Sequence, residues 1–322
     1  METIITKNLT KKYGGLIAVN GINLTVNEGE IFGLLGPNGA GKTTTLMMLS
    51  SLLKPTSGTA SINGFDVLTQ AARVRESIGM VFQDPSSDPV LTAYENLKLH
   101  ALLYDVPMNA IDSKIDEVLT LVDLEKRKCD IVKTFSGGMR RRMEIARGLL
   151  HQPKVFFLDE PTLGLDPQTR DHIWTYIKAL AEKINMTIVL TTHYMEEAEK
   201  LCSRIAIIDH GNIVALDSPQ NLIRGLGGDT VLLKGRIEVA KLKSLPFVKE
   251  VKETTEGCRL SVENSGKNLQ ELLCNAGSVD FVEVHSPDLN DVFLHYTGRE
   301  MREEEGDSTD YLRDMNKARG NQ

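Results

Sequence analysis

A glycine-rich segment between an apolar run and a helical run constrains this chain more than any other part of its sequence. The segment reads Gly36-Pro37-Asn38-Gly39-Ala40-Gly41-Lys42-Thr43, which fits the spacing glycine, four residues, glycine, lysine, threonine. Glycines at this spacing let backbone N–H groups close around phosphates, while Lys42 neutralises their charge and Thr43 offers a hydroxyl to Mg²⁺. With Thr44 at the start of the helical run, the segment predicts a site for nucleotide phosphates.

The runs on either side of this loop predict an α/β fold. Apolar strands are expected at residues 31–35, 78–82, 155–158, 187–190 and 204–208, with helical stretches between them, among them one at 43–53. This alternation predicts a covered, mostly parallel sheet. An antiparallel β layer is predicted before residue 31. Residues 92–150 predict an inserted helical subdomain, whose first helix begins with a capping box of Thr92 and Glu95.

The pattern changes after residue 226, so the first domain is predicted to span 1–226. Shorter strands and helices over 229–297 predict a small α+β accessory domain. Residues 298–322 are mostly charged and polar without an apolar face, which predicts a disordered tail. The last predicted helix of the accessory domain offers a packing face of Leu289, Val292, Phe293 and Tyr296.

Composition narrows the classes of protein. The formal net charge of −7 over 322 residues disfavours non-specific nucleic-acid binding, because no excess of cationic side chains is available for phosphates. The 4 cysteines form no CxxC pair and predict no disulfide framework. No run approaches the roughly 18 apolar residues that span a bilayer, and the first residues lack the apolar stretch that is typical of a signal peptide. We therefore expect a cytosolic chain that reaches a membrane only through a partner.

Two carboxylates, Asp159 and Glu160, follow the predicted strand at 155–158. Buried parallel strands bind ligands at their carboxyl ends, which places this pair beside the phosphate loop. Taken alone, such a pair is also typical of the first turn of a helix. Beside a phosphate loop, Asp159 is expected to hold Mg²⁺ through water, and Glu160 to polarise the water that attacks the γ-phosphate.

The segment Ser136-Gly137-Gly138, here called the signature segment, lies between Phe135 and Met139. It resembles the Leu-Ser-Gly-Gly-Gln signature of ABC ATPases, with mild departures at its first and last positions. The resemblance implies a P-loop NTPase fold and a role for Ser136, Gly137 and Gly138 in presenting a hydroxyl and a helix N-terminus to the γ-phosphate. The arginines that follow, at 140–142, predict a helix face that meets solvent, carboxylates or phosphate.

Other residues fall in the order that the same resemblance implies. Gln83 matches the glutamine that reaches Mg²⁺ and the attacking water, and Tyr13 matches the aromatic residue that stacks on adenine. Asp166 matches the aspartate of a loop that contacts the opposite subunit. His193 matches the switch histidine that contacts the γ-phosphate. Each of these residue types alone is more often structural, so their positions relative to the motifs carry the prediction.

A finer resemblance involves residues 91–97 and 287–299, which are similar to the exporter branch typified by daunorubicin-resistance ATPase subunits. The branch resemblance implies a separate polytopic permease as partner and a place on the cytoplasmic face of the membrane. The resemblance to ABC ATPases implies ATP and Mg²⁺ as cofactors and a dimer of ATPase subunits. Because this chain has every motif intact, a homodimer is favoured over a heterodimer with a paralogue. The alternative is a soluble ABC ATPase that acts on nucleic acid or ribosomes, suggested by the arginines after the signature segment. The acidic balance of the chain predicts no nucleic-acid partner.

Overall fold

The computed structural model describes residues 1–254 and 257–298. The chain divides into two compact units between Asp217 and Ser218. The domain boundary predicted from the sequence, at residues 226–229, lies one short helix later. Apart from Gly298, the predicted tail lies outside the described residues.

The first unit contains two sheets. Its strands are β1 (Glu2–Tyr13), β2 (Leu16–Asn27), β3 (Ile31–Leu35), β4 (Ser57–Ile62), β5 (Phe65–Asp66), β6 (Ile78–Val81), β7 (Val155–Asp159), β8 (Thr187–Thr192), β9 (Arg204–Asp209) and β10 (Asn212–Asp217). One sheet has the order β10-β9-β3-β8-β7-β6 and is parallel except for β10. The other has the order β2-β1-β4-β5 and is antiparallel. Both sheets match the predicted fold class.

Apolar composition explains why the parallel sheet lies at the centre of the first unit. Every residue of β7 and β8 is buried, as expected for strands covered on both faces. A single core cluster combines Ile4 of β1 and Val26 of β2 with Phe32 and Phe157 of the parallel sheet. The antiparallel layer therefore packs on the parallel sheet through apolar side chains.

The helices of the first unit include the predicted helical insertion. They are α1 (Lys42–Leu49), α2 (Ala71–Ser77), α3 (Ala93–Leu103), α4 (Ile111–Leu121), α5 (Gly137–Leu149), α6 (Pro167–Ile184) and α7 (Met195–Leu201), with short 3₁₀ turns at Met108–Ala110, Glu125–Arg127 and Val132–Thr134. The capping box of Thr92 and Glu95 is confirmed at the start of α3. The helix predicted at 43–53 ends earlier, because Ser51 adopts a left-handed backbone with φ of 62°.

The second unit is an antiparallel sheet with helices packed on it. Its elements are α8 (Pro219–Gly225), β11 (Asp229–Ile237), α9 (Val239–Lys243), β12 (Val248–Thr254), β13 (Gly257–Val262), α10 (Ser265–Asn275), β14 (Gly277–His285) and α11 (Leu289–Thr297). The sheet order is β12-β13-β11-β14. On α11, Leu289, Val292 and Phe293 are buried as predicted, but Tyr296 is 48% exposed and does not belong to the packing face. Within residues 1–254 and 257–298, no helix is both long and apolar enough to cross a bilayer.

Two glycines with the same backbone conformation provide a test of the packing of the antiparallel layer. Gly58 of β4 has φ of 80°, and a Cβ added there would lie 2.2 Å from the carbonyl oxygen of Asn8. Gly64 has φ of 79° but no atom within 4 Å of that position. We predict that Gly64→Ala costs about 1 kcal/mol, the left-handed penalty alone, and that Gly58→Ala costs about 2 kcal/mol more. Thermal unfolding of the purified variants measures both, and equal melting temperatures would contradict the assigned strand contact.

Candidate active site

The phosphate loop connects β3 to α1 and is shaped by close backbone contacts. A Cβ on Gly41, whose φ is 106°, would lie 2.4 Å from the carbonyl oxygen of Ala18 in β2. A Cβ on Gly36 would lie 2.2 Å from the carbonyl oxygen of Ile208. The N–H of Gly211 donates to the carbonyl of Ala40 at 3.0 Å. Glycine is therefore required at both positions of the loop for reasons of space.

Lys42, the first residue of α1, is buried and turns back over its own loop. Its ammonium donates to the carbonyl oxygens of Gly36 at 2.6 Å and Pro37 at 3.2 Å. The third contact is an ion pair of 3.0 Å with Oε1 of Glu160. The lysine thus links the phosphate loop to the acid pair at the end of β7.

Asp159 is the last residue of β7 and is buried. Its Oδ1 accepts hydrogen bonds from the hydroxyls of Thr43 at 3.0 Å and Thr191 at 2.6 Å. Burial raises the pKa of Asp159, and the two hydroxyl donors offset part of that rise. The side chain therefore needs a further positive partner to carry its charge easily.

Glu160 follows directly and has a left-handed backbone with φ of 47°. Its N–H donates to the hydroxyl of Thr191 at 2.9 Å, and its Oε2 lies 2.8 Å from Nδ1 of His193. Burial acts to raise the pKa of Glu160, but the hydrogen bond with His193 and the charge of Lys42 outweigh it, so this pKa lies below its ordinary value. Glu160 is consequently ionised, with one oxygen toward each partner.

These residues fit a magnesium site completed by phosphate. Thr43 and Asp159 bring hydroxyl and carboxylate oxygens together, which are the donors that Mg²⁺ prefers. Among the described residues no cluster of three or more metal-binding side chains occurs. Mg²⁺ in nucleotide sites is held by one or two protein oxygens together with phosphates and water, so the sparse donor set agrees with that arrangement.

Gln83 and Tyr13 lie apart from this cluster. Gln83 is exposed two residues after the end of β6, at the same edge of the sheet as the ends of β3, β7 and β8. Tyr13 is half-buried at the end of β1, where it pairs with Leu16 of β2. Because β2 also provides Ala18 against Gly41, Tyr13 belongs to the hairpin that borders the phosphate loop.

The signature segment packs against Thr169, the residue that Asp166 caps. Ser136 caps α5 by accepting from the N–H of Met139, and a Cβ on Gly138 would lie 2.6 Å from Cγ2 of Thr169. Asp166 caps α6, where it accepts from the N–H of Thr169 at 3.0 Å and from its hydroxyl at 2.6 Å. No hydrogen bond within the described part of the chain joins Gln83, Ser136 or Asp166 to Lys42 or the acid pair.

Arg141 supports the candidate active site, a role that the sequence pattern does not predict. The sequence predicts a helix face of arginines that meets solvent, carboxylates or phosphate. Arg141 instead is buried, and its guanidinium donates to the backbone carbonyls of Phe82 at 2.6 Å, Asp159 at 2.8 Å, Glu160 at 3.0 Å and Pro161 at 2.7 Å. It therefore ties α5 to the backbone that follows β6 and β7. The helical period provides a signal, since Arg141 shares a face with the buried Ile145 and Gly148.

A buried glutamate supports the segment after the acid pair. Oε1 of Glu197 accepts from the hydroxyl of Thr162 and from Nε1 of Trp174, both at 2.8 Å. Burial raises the pKa of Glu197. Nothing in the local sequence distinguishes this residue from the exposed Glu196 beside it, so the sequence carries no signal for its role.

Comparison with known proteins decides the family. Residues 19–163 match the ABC transporter family. The linearmycin resistance ATP-binding protein LnrL of Bacillus subtilis is 39% identical over 310 residues, which is 92% of this chain and 99% of that protein. The chain belongs to the ABC transporter family. The Nod factor export ATP-binding protein I of Cupriavidus metallidurans is also 39% identical, over 92% of this chain and 98% of its own length.

Solved structures agree with this ABC cassette fold. The cbiO1 protein of Clostridium perfringens, part of the ABC transporter complex cbiONQ, has a TM-score of 0.65 at 28% identity over 70% of this chain and 94% of its own. The cassette MJ0796, in a dimeric post-hydrolysis state bound to ADP and Pi, has a TM-score of 0.60 at 30% identity over 67% of this chain and 98% of its own. The chain is thus an ATP-binding, ATP-hydrolysing subunit. The alternative of an ATPase acting on nucleic acid or ribosomes receives no support from these relatives.

The position of Arg141 leads to a prediction about stability. Arg141→Lys keeps the charge but cannot span four carbonyls, so it leaves buried acceptors unpaired and is expected to cost about 2–3 kcal/mol. Arg140→Lys is the matched control. Arg140 lies at the partly exposed start of α5, where its guanidinium donates to the single carbonyl of Lys133. The melting temperature and the ATPase rate of Arg141→Lys should both be lower than those of the unchanged protein. Equal behaviour of the two variants would refute the bracing role.

Proposed function

We propose that this chain is a homodimeric ATPase that energises export through a separate membrane permease. The observation that carries the proposal is the chain of contacts from Lys42 through Glu160 to His193, beside the pair of Thr43 and Asp159. Export is the direction named for the Nod factor relative. The permease is proposed from membership of the ABC transporter family, and the homodimer from the presence of every nucleotide motif in one chain. We place the subunit at the cytoplasmic face of the membrane, held there by the permease.

The residues at the strand ends have separate roles in this proposal. Glu160 polarises the water that attacks the γ-phosphate, and His193 holds Oε2 of that carboxylate and contacts the γ-phosphate. Lys42 and the N–H groups of the loop neutralise the phosphates. Thr43, Asp159 and Gln83 provide oxygens for Mg²⁺, which supplies charge stabilisation of the phosphates when bound. Tyr13 stacks on the adenine.

The ion pair of Lys42 and Glu160 suggests how ATP prepares the site. The ammonium has only three donors, and here they point at two loop carbonyls and at Glu160. Phosphate oxygens that bind Lys42 compete with Glu160 for it. We infer that nucleotide binding releases one oxygen of Glu160 toward the attacking water, while His193 keeps the other oriented.

A shared site explains why, within the described residues, no hydrogen bond joins the signature segment to the acid pair of its own copy. Ser136 is exposed at the N-terminus of α5, and its hydroxyl caps its own helix. In the proposed homodimer, Ser136, Gly137 and Gly138 face the ATP bound by the other copy, and Asp166 lies at the same contact.

The second unit takes no part in this chemistry and acts as an accessory domain, since its described residues include neither a phosphate loop nor a metal-binding cluster.

The first test concerns the proposed base. Glu160→Gln removes the water-polarising charge and preserves shape, so ATP binding should persist while the ATPase rate falls by about 10²-fold or more. The stalled variant should accumulate as an ATP-bound dimer in size-exclusion chromatography with light scattering. Glu196→Gln, an exposed glutamate on α7, is the control and should hydrolyse ATP normally. Near-normal hydrolysis by Glu160→Gln would move the base elsewhere.

The second test concerns the shared site. Ser136→Arg should abolish hydrolysis through the opposite copy, and Lys42→Ala should abolish it by losing the phosphate counter-charge. Mixed dimers of the two variants contain one intact composite site, so mixing should restore partial activity. The fraction of mixed dimer is measured with two affinity tags. If mixed dimers form and stay inactive, the cross-subunit arrangement is wrong.

A further inference from the structure

The side chain of Gln83 lies on a segment that leaves the parallel sheet after β6 and enters the helical insertion before α3. Gln83 is exposed, and within residues 1–254 and 257–298 no hydrogen bond reaches its carboxamide. A side chain without such a bond is placed only by the backbone that carries it. The contacts of residues 82–88 therefore decide where Gln83 can reach.

Glu144 of α5 holds the two serines that follow Gln83 in this segment. Its Oε1 accepts from the N–H of Ser86 at 3.2 Å and from the N–H of Ser87 at 2.8 Å. Its Oε2 accepts from the hydroxyl of Ser86 at 3.1 Å and pairs with the guanidinium of Arg147 at 2.9 Å. The side chain of Glu144 is 1% exposed, and a carboxylate so buried needs donors at both oxygens. The serine segment provides three of its four donors.

The same helical insertion holds the segment on both sides of the serines. Arg141 of α5 donates to the carbonyl of Phe82 at 2.6 Å. Asn96 of α3 is buried, accepts from the N–H of Asp88 at 2.8 Å and donates to the carbonyl of that residue at 3.0 Å. Glu144 is thus the middle one of three side chains by which α3 and α5 fix the backbone around residue 83.

We propose that Glu144 is a positioning residue, which holds the backbone of Ser86 and Ser87 so that the carboxamide of Gln83 reaches the magnesium site. This inference rests on the proposed role of Gln83 as an oxygen donor to Mg²⁺. Residues that orient a metal ligand without touching the metal change metal affinity by about 10–100-fold. In the described part of the chain, Glu144 makes no hydrogen bond or ion pair with the phosphate loop. Its loss should therefore weaken metal-dependent binding only.

The test compares two adjacent serines in the full-length chain. Ser86→Ala removes a hydroxyl that contacts both Glu144 and Arg147. Ser87→Ala is the matched control, because the N–H that Ser87 donates to Glu144 is kept by alanine. The affinity for a non-hydrolysable ATP analogue is measured by isothermal titration calorimetry with and without Mg²⁺. The ratio of the two affinities, here called the Mg²⁺ factor, reports the coupling between metal and nucleotide.

We expect the Mg²⁺ factor to fall about threefold in Ser86→Ala and about tenfold in Glu144→Ala, with the affinity for the analogue alone unchanged. Because Ser86 is exposed, its variant decides the question even if Glu144→Ala does not fold. A purely structural role would lower the affinity equally with and without Mg²⁺. That result, or equal Mg²⁺ factors for the two serine variants, would overturn the proposal.

Gln83→Ala separates this inference from the proposed function. It should lower the Mg²⁺ factor at least as much as Glu144→Ala, and combining the two changes should add nothing further, because Glu144 acts through Gln83. If Gln83→Ala leaves the Mg²⁺ factor unchanged, the assignment of Gln83 to Mg²⁺ is wrong and this inference fails with it. If Gln83→Ala lowers the factor and the effect of Glu144→Ala is absent or fully additive, only the positioning role is wrong.

Discussion

Two adjacent carboxylates at the end of an apolar strand are the constraint on which the rest of the first unit depends. Removing an ionised carboxylate from water costs several kcal/mol unless charges and hydrogen bonds replace the lost hydration. Asp159 obtains hydroxyl donors from two different segments, and Glu160 obtains Lys42 and His193. Each of those donors lies at the carboxyl end of a parallel strand, directly after it, or in the first turn of the helix that follows the phosphate loop. The order of the strands in the parallel sheet therefore also determines which side chains meet in the active site.

Much of this arrangement is readable from sequence, because the relevant patterns are local. The loop from Gly36 to Thr43, the acid pair and the predicted parallel strands each depend on a short run with a definite chemistry, and the parallel sheet follows from buried runs such as β7 and β8. The capping box at Thr92 is equally local. Parallel strands bring their carboxyl ends to one edge, which is why residues more than a hundred positions apart could be assigned to one site.

The features that sequence did not reveal depend on tertiary contact. Arg141 stands in a run of arginines, and the four carbonyls that make its burial favourable, those of Phe82, Asp159, Glu160 and Pro161, come from segments distant in sequence. Strand β12 has no recognisable strand pattern in the sequence, because charged side chains occupy most of its positions. Tyr296 was assigned to the packing face of α11 by period alone, although Leu289, Val292 and Phe293 already fill the contact.

The position of Gly211 has a consequence for the order in which the chain becomes competent. Its N–H binds the carbonyl of Ala40, and its carbonyl accepts from the N–H of Asn20, so the turn between β9 and β10 supports both the phosphate loop and β2. These three segments are distant in sequence, so the contacts cannot form before residue 211 has been synthesised. During synthesis the loop emerges early, but its support is the last strand pair of the first unit. A growing chain therefore contains the complete phosphate motif long before it has the backbone that shapes the motif.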